Sequence, residues 1–112
     1  MKAKAALTLL LTAVNATAAI QCGSYEIDGS KYATRVNGDP VRMVSHRFTA
    51  APGDYDNAVI TLRRERITDQ PFSFVLTAEA GRVSMEYVTD EDPPRVLNRE
   101  NCRGSLREFA RY

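Results

Sequence analysis

The sequence predicts an all-β domain: a small antiparallel sandwich or partly open barrel of about six short strands, its ends tied by one disulfide. Three observations carry this expectation. Apolar residues alternate with polar ones in several short runs. Turn-forming clusters separate those runs at intervals of about 8–12 residues. The two cysteines, Cys22 and Cys102, stand near opposite ends of the chain. The alternative is an α+β arrangement, with a short C-terminal helix packed on one sheet.

The elements follow in order. "SYEID" (24–28) alternates with Tyr25 and Ile27 on one side, and "KYATRV" (31–36) repeats the pattern beyond a "DGS" hairpin turn. "NGDP" (37–40) is a second strong turn signal. "VRMVSHRF" (41–48) reads as a third strand, and "AAPGDYDN" (50–57) as a long polar loop. "AVITLRRERI" (58–67) forms a long fourth strand, apolar in its first half and charged in its second, ended by "TDQP". "FSFVLTAEA" (72–80) sets Phe72, Phe74 and Leu76 against Ser73 and Thr77. Gly81 leads into "RVSMEYV" (82–88), where Val83, Met85 and Tyr87 face one way. "TDEDPP" (89–94) is expected to close the regular region. In the tail, Ser105 and Glu108 fit a capping box and Leu106, Phe109 and Ala110 share a helical face, so a short helix or turn is expected beside Cys102.

The amino terminus supplies the context for the cysteines. Lys2 and Lys4 precede an uncharged run, Ala5–Val14, and Ala16-Thr17-Ala18 offers small residues for a signal peptidase. This is the pattern of a bacterial-type secretory signal peptide, with residues 1–19 removed and residues 20–112 forming a single small β-rich domain. A membrane span needs about 20 apolar residues, twice the length of this run, so no stable membrane anchor is expected. Gln21 before Cys22 is too large and polar for a lipoprotein signal. In an oxidising destination, periplasmic or alternatively secreted, a Cys22–Cys102 disulfide is then the default.

Without Lys2 and Lys4, the 15 basic residues fall to 13 against 14 acidic ones. A near-neutral domain excludes nucleic-acid or membrane-surface binding through bulk charge. The catalytic search is empty. His46 is the sole histidine, and on a strand its neighbour Ser45 points to the opposite face, so no local Ser–His dyad forms. His46 would share its face with Val44 and Phe48. One histidine and two paired cysteines lack zinc-type spacing, so no metal or cofactor is expected. "RRER" (63–66) is the densest basic run and reads as a charged strand end laced by ion pairs.

Two acidic clusters remain, Asp54-Tyr55-Asp56 and Asp90-Glu91-Asp92, the latter followed by Pro93-Pro94. Polar turns contain such residues, and so do recognition loops that fit a positively charged cleft. The sequence therefore points to a small exported, non-enzymatic binding protein with a protein partner in the envelope or outside the cell. Inhibitor or immunity factor for a hydrolase or toxin is the expected role, with Asp54, Tyr55, Asp56, Asp90, Glu91 and Asp92 as contact residues. A structural or accessory component of an envelope or secretion assembly, docking through a strand edge, is the alternative.

Overall fold

Eight antiparallel strands close on themselves in sequence order in a computed structural model that describes residues 19–29, 34–64 and 72–110. They are β1 (Ala19–Cys22), β2 (Tyr25–Asp28), β3 (Arg35–Val36), β4 (Asp39–Phe48), β5 (Ala58–Arg64), β6 (Phe72–Glu79), β7 (Arg82–Thr89) and β8 (Val96–Arg103). A short 3₁₀ helix, Leu106–Ala110, follows. The fold is all-β as expected, but it is a closed eight-stranded barrel rather than a six-stranded sandwich or an open barrel. The tail forms only the 3₁₀ turn, so the α+β alternative falls. Residues 1–18 of the expected signal peptide, Lys31 to Ala33 of the expected second strand and the end of "RRER" lie outside the described residues.

The alternation seen in the sequence becomes the barrel interior. Ile27 of β2, Ile60 and Leu62 of β5, Phe74, Leu76 and Ala78 of β6, and Val83 and Met85 of β7 are buried in one core cluster. Leu106 and Phe109 of the 3₁₀ helix join them. Phe109 lies against Gly29, where an added Cβ would sit 3.2 Å from the ring. Asn37 and Gly38 take φ values of 50° and 84° between the paired residues Val36 and Asp39. This is the geometry of a two-residue hairpin turn with both central residues left-handed, which Asn-Gly favours.

Two strands escape the sequence pattern. β1 is four residues long and begins at Ala19, the last residue of the segment expected to be a signal peptide. β8 lies beyond "TDEDPP", where the regular region is expected to close, and "VLNRENCR" has no apolar alternation. Its inward positions are nevertheless fixed by register: Asn98 lies opposite Tyr87, Glu100 opposite Met85 and Cys102 opposite Cys22, and directly opposed residues share a face. A further correction concerns β4. The register slips between Met43 and Ser45, leaving Val44 bulged out and 43% exposed. A bulge inserts one residue and inverts the alternation beyond it. His46 and Phe48 thus lie on the same face as Val41 and Met43, and not with Val44.

The Cys22–Cys102 disulfide joins residues 80 apart in sequence and directly opposite in the β1–β8 ladder. That ladder consists of only two residue pairs, Gln21↔Arg103 and Cys22↔Cys102. The covalent link therefore sits at the seam where the ring closes.

Candidate functional site

In an up-and-down ring, successive connections alternate between the two ends. The loop after β4 (49–57) and the loop after β7 (90–95) must therefore lie at opposite ends of the barrel. The two acidic clusters do not combine into one surface.

The first cluster is built into the protein. Asp54 accepts hydrogen bonds from the Asp56 N–H (3.1 Å) and the Asn57 side-chain amide (3.0 Å). Tyr55 packs its ring on His46 (5.3 Å) and Phe48 (5.1 Å). Asp56 pairs with Arg107 of the 3₁₀ helix at 2.8 Å. The same loop grips the β6–β7 turn: Ala80 N–H donates to Asn57 Oδ1 and Gly81 N–H donates to the Asp56 carbonyl. This holds Ala80 at φ 51°, a conformation an alanine rarely adopts. All three acidic-cluster residues are half-buried. Replacing Tyr55 would consequently disturb packing as well as any surface contact.

The second cluster is displayed differently. Thr89 N–H donates to the Arg95 carbonyl and Arg95 N–H donates to Thr89 Oγ1, both at 2.9 Å, closing the loop at its base. Asp90 pairs with Arg63 at 2.8 Å, and the Glu91 carboxylate receives two hydrogen bonds from Arg95 at 3.2 and 3.3 Å. Asp90, Glu91 and Asp92 are exposed. Arg63 of "RRER" thus helps to hold this loop. Surface ion pairs of this kind contribute little to global stability, about 0–1 kcal/mol each. Their effect here is to restrict the loop.

The same end carries a feature that the linear sequence does not advertise. Tyr87 stacks at 4.8 Å on Phe74 and 5.1 Å on Phe72, and lies 6.1 Å from Tyr25. Tyr25 meets Phe74 edge-on at 5.5 Å. These four rings come from β2, β6 and β7, and only register places them together. The clue in the sequence was positional: Tyr25 and Phe72 open their strands and Tyr87 nears the close of its own. Inward Glu100 completes this end by lying over Gly23, where a Cβ would come within 2.6 Å of its carboxylate. Gly23 at φ 61° has no such atom.

Burial pushes the Tyr87 phenol above its ordinary pKa; the Arg64 guanidinium acts in the opposite direction, and the Tyr25 hydroxyl adds to the rise. A tyrosine whose folded pKa is raised supports the fold below its unfolded value, and that support is lost as pH climbs through the folded one. We expect Tyr87→Phe to remove part of the stability decline above pH ~10. Melting temperatures of both proteins across alkaline pH check this; parallel declines would contradict it.

Among the described residues, no three or more His, Cys, Asp or Glu side chains are grouped to hold a metal ion, and no helix is long and apolar enough to cross a membrane. The barrel's outward positions include Arg63, Glu86, Arg99 and Asn101, while its buried core cluster is apolar. Membrane-spanning barrels carry their apolar band outside, the reverse of this arrangement. Fold and surface together define a disulfide-closed, eight-stranded antiparallel barrel with a polar exterior. No family model, characterised protein or solved structure matches the chain.

Proposed function

We propose that this chain is a small exported binding protein without catalytic machinery, which presents the 90–95 end of its barrel to a protein partner. Inhibitor or immunity factor for an envelope hydrolase or toxin is the role that fits. The observation that carries the proposal is the contrast between the two acidic loops. Asp54, Tyr55 and Asp56 are engaged in holding the fold, whereas Glu91 and Asp92 are exposed on a loop already restrained by four hydrogen bonds involving Arg95. Restraint before binding lowers the ordering cost that binding would otherwise incur. The half-buried rings of Tyr25, Phe72 and Tyr87 lie at the same end, and aromatic anchors beside charged rims suit protein interfaces.

The test is a pull-down of the mature protein, tagged at its carboxyl end, from envelope extract of its host. The combined Glu91→Ala and Asp92→Ala variant is expected to lose at least tenfold in affinity for the recovered partner. Its melting temperature should stay close to that of the parent, because exposed side chains away from the core change stability by about 0.5 kcal/mol or less. Unchanged capture by this variant would refute the loop assignment.

One observation favours the second reading, docking of an assembly component through a strand edge. β3 pairs with β4 only at Arg35↔Pro40 and Val36↔Asp39, so among the described residues β4 from Arg42 onward is laddered on the β5 side alone. Residues 30–33, which precede β3 in the chain, lie outside the described residues, and any part of β4 left bare on that side would be a template for an added strand. The Val44 bulge and the exposed Arg42 and Arg47 are features that blunt such edges, which is why the loop reading is preferred. Co-fractionation with a large envelope complex that survives the loop substitutions would reverse that preference.

A further inference from the structure

On the outer surface, a groove of about 410 Å³ crosses β6, β7 and β8, lined by five polar side chains together with Ala80 and Val83. Its floor follows from register. Thr77 lies opposite Ser84, and Ser84 opposite Asn101, so three short polar side chains form one row across three strands. Adjacent strands are spaced about 4.8 Å apart, which sets the interval between these groups. Two residues further along β7 and back along β8, the Glu86–Arg99 ion pair at 2.7 Å stands beside the row. On the other side, Glu79 and Arg82 face each other across the β6–β7 turn. Short residues between two rows of long ones make a trough.

The chemistry of the trough is uncommitted. Ion pairs occupy Arg63, Arg95 and Arg107 elsewhere on the described surface, and Arg99 is held by Glu86 beside the row. By contrast, the Thr77 and Ser84 hydroxyls, the Asn101 amide, the Glu79 carboxylate and the Arg82 guanidinium have no hydrogen-bond or ion-pair partner within the described chain. Glu79 and Arg82 are directly opposed yet do not pair.

We propose that this groove binds a sugar residue of a glycan. Hydroxyls and an amide both donate and accept, which matches a ligand made of hydroxyl groups. The carboxylate and the guanidinium each offer two parallel contacts, the spacing that neighbouring hydroxyls on a pyranose present. Their charges cancel, so the groove selects neither anions nor cations. An apolar ligand would strip water from five polar side chains and return no hydrogen bonds, a cost of about 1–3 kcal/mol for each group. The volume falls within the ~300–1,000 Å³ typical of ligand clefts. This site is separate from the protein-binding end, because the row lies on the barrel wall and Glu79 and Arg82 adjoin the end opposite to loop 90–95.

The experiment is a ¹H–¹⁵N titration of the oxidised mature protein with N,N′-diacetylchitobiose, with maltose and with glycine as separate probes. Saturable shifts of the Thr77, Ser84 and Asn101 amides with at least one disaccharide are expected. Asn101→Ala and Arg82→Ala should each weaken that binding at least fivefold while leaving the spectrum otherwise folded. Absence of saturable shifts with both sugars would overturn the proposal. So would shifts confined to Tyr25, Phe72 and Tyr87, or glycine saturating the groove as well as the sugars do. Partner capture through Glu91 and Asp92 is read separately, so either proposal can fail without the other.

Discussion

Replacing Cys22 and Cys102 together by serine is expected to remove about 4.5 kcal/mol of stability, the loop-entropy value for a cross-link spanning 80 residues. Against a typical total of about 5–15 kcal/mol, that loss threatens the folded state itself. The position of the bond makes the expectation stronger than loop length alone would. β1 and β8 share just two paired positions, and one of them is the disulfide. Without it, Gln21↔Arg103 and the apolar contacts of Ile20 must hold the seam. Denaturant unfolding of the oxidised parent and the double serine variant gives the difference directly, and the double variant avoids a stray thiol. A midpoint within experimental scatter of the parent would show that packing closes the ring unaided.

Phe74→Ala should cost about 3–5 kcal/mol, the range for an aromatic side chain removed from a well-packed interior. Phe74 is fully buried and its ring meets both Tyr25 and Tyr87. The surrounding strands are locked by ladders on both sides, so the vacated space cannot collapse fully. In a domain of this size the melting temperature should drop by roughly 4–8 °C for each kcal/mol. A second readout separates local from global damage. Water admitted beside Tyr87 should bring its phenol back toward the ordinary tyrosine pKa, visible as an earlier alkaline absorbance change. Phe74→Leu, which keeps most of the volume, should preserve both properties in large part. Equal losses in the two variants would contradict the packing account.

The strands that could be read from the sequence are those in which burial alternates with exposure. β5, β6 and β7 supply long runs of inward apolar residues, and their positions follow directly from that period. β8 could not be read this way because its inward residues are Asn98, Glu100 and Cys102. They take their face from neighbours rather than from their own hydrophobicity. Closure was hidden for the same reason, since β1 and β8 are what turn an open sheet into a ring. The bulge at Val44 was equally silent: one inserted residue moves His46 to the other face, and nothing in "RMVSHRF" marks it. The acidic loops were visible as composition but not as environment. Asp54, Tyr55 and Asp56 stand in the sequence as the second cluster does, and only the contacts with Arg107, His46 and Phe48 distinguish them. The groove row Thr77, Ser84 and Asn101 comes from three strands and has no signature along the chain.

The two-pair seam also bears on how quickly the ring can assemble. Every other ladder joins strands that follow one another in the chain, so each can form as a local hairpin without a long search. Among the strand ladders, the β1–β8 one alone requires the chain's distant parts to meet, and its entropic toll grows with the separation. Once the cysteines are linked, denaturation no longer abolishes that meeting: the unfolded molecule is a loop rather than a line. An oxidised chain therefore re-enters the native state with its slowest encounter already made. A reduced one must find that encounter afresh, exposed all the while as loose hairpins with unsatisfied edges.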